Sequence, residues 1–174
     1  MNVIMLKGIK LFFIIVGVCL LQTVIMPEIK FWGITPNLFL ITVCGISFLF
    51  GSKTGGICGL VLGLFQDMNI GRTIGLNAFI YMYVGIILGQ FNKRFFKDNY
   101  VVSVIFVIFA TIAYETIIYI FGALAYNQNF VFSTFLIKIL IGAFANAIIS
   151  VIVYPVLLRI NIGVELDRRI FGRR

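Results

Sequence analysis

Polar residues are spread so thinly along this chain that they cut it into six apolar stretches. The first runs from Gly8 to Met26 and stops at Pro27, because proline lacks the backbone donor and crowds the preceding turn. The second covers Pro36–Phe50, and Thr35-Pro36 reads as a helix N-cap with proline in the first turn. The third, Thr54–Gln66 closing on Asp67 (54–67), is short and rich in glycine. The fourth covers Ile74–Phe91, the fifth Tyr100–Phe121 and the sixth Thr134–Ile160, with Pro155 near its end. A basic tail, 161–174, follows. A bilayer core takes about 20 apolar residues per helix. Six such runs joined by short breaks predict an all-α polytopic membrane protein: one transmembrane domain of six helices, the third one short.

Composition sharpens this expectation. The chain is 61% hydrophobic and 11% charged, whereas soluble domains are about 45–50% apolar and about 25% charged. Almost all of its 174 residues are therefore committed to the bilayer, leaving no room for a soluble catalytic or nucleic-acid-binding module. The net charge of +8 does not point to nucleic acid, because the basic residues gather at the ends of the apolar runs rather than in a stripe. With six spans, Lys7, Lys10, Lys53, Lys93, Arg94, Lys97, Arg159 and the four tail arginines share one side, against Lys30, Arg72 and Lys138 on the other. Dropping the short third span would put the N-terminus on the poorer side. The excess of Lys and Arg on cytoplasmic loops thus favours six spans with both termini cytoplasmic. No small-residue cleavage site follows Lys7 and Lys10, so the first run reads as a span rather than a signal peptide.

Few side chains invite chemistry. There is no histidine, which removes imidazole-based triads and metal ligation by histidine. Cys19, Cys44 and Cys58 all lie inside apolar runs without a CxxC spacing and read as small buried hydrophobes. No cofactor or metal site is expected. Gly55, Gly59 and Gly63 recur at four-residue spacing, a doubled GxxxG that lets another backbone approach closely. The expectations are tight packing within the bundle or a face for a partner helix. Asn77, Tyr81, Gly85 and Gly89 repeat the spacing in the fourth span, and Lys138, Gly142, Asn146, Ser150 and Tyr154 in the sixth. Residues four apart share a helix face, so Asn77, Asn146 and Ser150 are expected to form a polar stripe facing the bundle core. Asp67, Arg72, Glu115 and Lys138 fall in the outer half of this topology. Intramembrane charges are costly unless paired or hydrated, which predicts an outward polar cluster with Glu115 and Lys138 paired and Asp67 capping. The basic tail suggests contact with anionic lipids.

Several stretches also resemble one family. They are Thr35-Pro-Asn-Leu-Phe-Leu40, then Gly55-Gly-Ile-Cys-Gly-Leu-Val-Leu-Gly-Leu-Phe-Gln-Asp67, Gly71, Gly75-Leu-Asn-Ala-Phe79, Glu115, Asn146 and Tyr154-Pro-Val-Leu-Leu-Arg159. In this order, over nearly the whole chain, they resemble MreD, the rod-shape-determining membrane proteins of bacteria. The resemblance implies a non-enzymatic plasma-membrane scaffold of the cell-wall elongation machinery. Its partners would be MreC directly and, in the same complex, RodA, a penicillin-binding transpeptidase and the actin-like MreB. It also implies a fold similar to the six-helix substrate-binding subunits of ECF-type vitamin transporters. The alternative function is accordingly a small-molecule-binding subunit of a transporter. The single span of MreC is expected to dock on a small-residue face, near Gly59 and Gly63.

Overall fold

The computed structural model describes residues 3–70, 74–91, 100–126 and 132–171. Six α-helices follow one another: α1 Val3–Leu20, α2 Leu38–Phe50, α3 Ser52–Ile70, α4 Leu76–Gln90, α5 Tyr100–Tyr126 and α6 Phe132–Phe171. They run up and down. The N-terminus, the α2–α3 turn at Gly51 and the end of α4 lie at one end of the bundle. The α1–α2 connection, the α3–α4 turn and the start of α6 lie at the other. Among the described residues, three helical segments are long and apolar enough to cross a membrane: Ile9–Glu28, Val101–Ala125 and Phe132–Arg159.

The centre of the bundle is α2. Every residue from Leu38 to Leu49 is buried, as befits a helix that is hydrophobic on all sides. At 13 residues it is also the shortest helix. The short apolar run expected over 54–67 lies within α3, which extends past it at both ends to 19 residues, about 28 Å at 1.5 Å per residue. Its glycines lower intrinsic helix propensity and make the stretch look broken, yet they are the residues that let α3 lie against α4. α2 is enclosed by its neighbours, whereas α4 also turns Phe79, Tyr83 and Ile87 outward.

The first helix does not stop at Pro27. After Leu20 it widens into a π-turn over Leu21–Ile25 and then tightens into a 3₁₀ turn over Met26–Glu28, with Pro27 in its first turn. Proline suits that position because its missing N–H would have no partner there. Phe31 and Ile34 then close a tight turn by two backbone hydrogen bonds of 3.0 and 2.9 Å, with Trp32 and Gly33 both at positive φ. The expected Thr35-Pro36 cap is also corrected. The N-cap is Asn37, whose Oδ1 accepts from Leu40 N at 3.0 Å. Pro36 holds Thr35 away from helical geometry, and Asn is the stronger cap.

The sixth helix continues through Pro155 and through most of the stretch expected as a tail, to Phe171; residues 172–174 lie outside the described residues. Its Tyr154, Leu157 and Leu158 pack with Ile46, Phe48 and Leu49 of α2 near the termini. Phe48 also meets the rings of Phe106 and Tyr154 at 5.7 and 6.2 Å between centroids.

Candidate functional site

Among the described residues Asp67, near the end of α3 and 1% exposed, accepts four hydrogen bonds. Its carboxylate faces the first turn of α4. Oδ2 accepts from Gly75 N at 2.9 Å and Ala78 N at 3.1 Å, while Oδ1 accepts from Asn77 N at 3.1 Å and Asn77 Nδ2 at 2.9 Å. The first N–H groups of a helix have no partner within it and carry partial positive charge. The N-cap of α4 is Gly75, at φ +104° and without a side chain. Asp67 supplies from the neighbouring helix the acceptor that Gly75 cannot. The sharp α3–α4 turn needs the glycine; the carboxylate replaces the lost cap.

From Asp67 the bonding continues across the bundle. The hydroxyl of Tyr114 on α5 donates to Asn77 Oδ1 at 2.9 Å, and the ring of Tyr114 packs on Tyr81 of α4 with centroids 5.5 Å apart. Asn37 Nδ2 donates to the Tyr81 hydroxyl at 2.6 Å. The backbone N–H of Asn37 donates to Asn146 Oδ1 on α6 at 2.8 Å, and Asn146 Nδ2 donates to Thr111 Oγ1 on α5 at 3.0 Å. Gln22, in the π-turn after α1, holds the same entry to α2. Its Oε1 accepts from Leu38 N at 2.7 Å and its Nε2 donates to Pro36 O at 3.3 Å. π-turns recur at functional positions; this one aims an amide at Pro36–Leu38. Helices α2 to α6 and the π-turn after α1 therefore contribute to one polar network, in the half of the bundle away from the α2–α3 turn.

The residues expected from sequence divide among three environments. Asn77 and Asn146 are buried members of the network. Ser150 is buried too, but its hydroxyl turns back on its own helix, to Ala147 O at 2.7 Å. Asp67 is fully engaged with α4 and does not open outward. Glu115 is half-buried on α5, with Oε1 3.9 Å from where a Cβ on Gly142 would stand. Lys138 is exposed on α6, the helix that packs against α5. Arg72 lies outside the described residues. Gln22, Asn37, Tyr81, Thr111 and Tyr114 complete the network. Their sequence signal was a polar side chain within, or at the mouth of, an apolar run.

Gly55, Gly59 and Gly63 of α3 face inward. A Cβ on Gly59 would strike the Tyr81 carbonyl, one on Gly63 would strike the Ala78 backbone, and one on Gly55 would strike Ser47 of α2. From the other side, Cβ atoms on Gly85 and Gly89 of α4 would strike the backbones of Gly55 and Ser52. This face is occupied by the protein's own helices. The expected docking of a partner span on Gly59 and Gly63 is therefore replaced by close packing of α3 on α4.

Chemically the arrangement is a clamp. A carboxylate offers about four lone-pair sites, and all four positions on Asp67 are taken by α4. It could act as a base or cation ligand only by uncapping that helix.

Comparison with known proteins agrees with this architecture in extent. The family described as rod shape-determining protein MreD matches residues 4–161, from α1 into α6. Comparisons with curated proteins and with solved structures gave no match. A match over nearly the whole bundle shows that the chain belongs to the MreD family of rod shape-determining membrane proteins.

Proposed function

We propose that this protein is a non-enzymatic, multi-pass scaffold of the bacterial plasma membrane that supports the cell-wall elongation machinery. In this reading all six helices cross the membrane with both termini cytoplasmic, as the distribution of Lys and Arg favours. MreC is the direct partner, and RodA, a penicillin-binding transpeptidase and MreB belong to the same assembly. The observation that carries the reading is the family match over residues 4–161. The network supports it, because its polar side chains bond to one another and to helix ends. That is the construction of a rigid body. A scaffold needs a fixed outer shape, and a polar core that joins α2 to α6 and the turn after α1 holds them in one register.

Depletion in a rod-shaped host tests the function. The account expects rods to round up into spheres as the protein is diluted by growth, with shape restored by the wild-type chain. Rods of unchanged width and length after depletion would overturn it.

A further inference from the structure

Two grooves run along the outside of α3, and both begin at its first turn. One lies between α1 and α3, from Leu11 and Thr54 to Leu20 and Phe65, with a volume of about 570 Å³. The other lies between α3 and α4, from Ser52 and Lys53 to Leu60 and Met82, with a volume of about 390 Å³. Both are apolar along their length and share Ile57 as the ridge between them. Nine residues of helix separate Leu11 from Leu20, or about 14 Å at 1.5 Å per residue. That is close to half of a hydrocarbon core about 30 Å thick, the depth of one leaflet.

A cation stands where the two grooves meet. Lys53 is exposed on the first turn of α3, between Ser52 and Thr54. Two apolar channels diverging from one cationic point match a molecule with two chains and an anionic head.

We propose that this surface binds one anionic phospholipid, with an acyl chain in each groove and its phosphate at Lys53. The inference rests on the membrane-spanning reading above. The lipid comes from the leaflet on the side of the N-terminus, which is the anionic cytoplasmic leaflet in that reading. It would fill the space beside α1, a helix buried over only 11% of its apolar segment against 28% for α5 and α6.

Native mass spectrometry of the full chain in mild detergent, with equal phosphatidylglycerol and phosphatidylcholine added, tests the site. The expected result is a retained phosphatidylglycerol adduct with little phosphatidylcholine. Lys53→Gln, a change at an exposed position, should lower that adduct about fivefold, and Val61→Trp, which fills the larger groove, should lower it independently. Equal retention of the two lipids, or an adduct unchanged in Lys53→Gln, would overturn the site. Extraction from membranes only by detergent, read in the same preparations, separates failure of the lipid site from failure of the membrane reading.

Discussion

Asp67 shows how one side chain can decide the geometry of two helices. Removing one of its oxygens leaves donors facing donors. Asp67→Asn keeps the shape but replaces an acceptor with an NH₂ group, so two of the four contacts to Gly75, Asn77 and Ala78 are lost or become repulsive. Breaking charged hydrogen bonds inside a protein costs about 2–4 kcal/mol. The variant should melt well below the wild type in detergent, and equal melting temperatures would show that the carboxylate is not the cap. Thr42 gives the opposite case. It is fully buried on α2, and its Oγ1 has no hydrogen-bond partner among the described residues. A buried hydroxyl without a partner costs about 1–3 kcal/mol, so Thr42→Val should be at least as stable as the wild type. A lower melting temperature would mean that the hydroxyl is bonded after all. Asp67 was recognisable in the sequence as a charge ending a glycine-rich apolar run. Its partners were not, because backbone N–H groups carry no side-chain signature, and α4 donates through Gly75 and Ala78.

At the scale of elements, contact between α3 and α4 depends on the absence of side chains. In lipid, helix association gains little from hydrophobic burial and depends on close packing and polar bonds. Gly59 and Gly63 place the α3 backbone against Tyr81 and Ala78, and Gly85 and Gly89 return the contact. Gly59→Leu should therefore prevent α3–α4 pairing and abolish accumulation of the protein in membranes. Gly17, in α1, has nothing within 4 Å of the position a Cβ would take. Gly17→Ala should be neutral or stabilising by up to about 1 kcal/mol through helix propensity. Similar losses in both variants, measured as membrane levels and thermal melting, would contradict this division. The spacing of Gly55, Gly59 and Gly63 was legible in the sequence. Their neighbours were not: GxxxG states that something approaches closely, and the same pattern serves an internal helix or a partner. Likewise the glycines set the third run apart from the second, and only placement shows that α2 is enclosed by its neighbours.

For the whole molecule, six apolar runs were sufficient to give six helices in order, because each run satisfies its own backbone internally and the breaks between them are short. The network joining the helices was not legible as a unit. Gln22, Asn37, Asp67, Asn77, Tyr114 and Asn146 are dispersed through the chain and meet only when the helices alternate in direction. This alternation leads to a topology that can be measured with a membrane-impermeant thiol reagent. Trp32→Cys, at the exposed turn before α2, should label in intact cells, and Lys53→Cys, at the start of α3, only after the inner membrane is opened. The reverse pattern would invert the proposed orientation.

Affinity purification of the tagged full-length protein in mild detergent, followed by mass spectrometry, tests the scaffold claim most directly. The account predicts recovery of MreC together with RodA or its transpeptidase. Recovery of an ATPase-bearing transport module in their place would contradict it and would make the chain a substrate-binding subunit of a transporter.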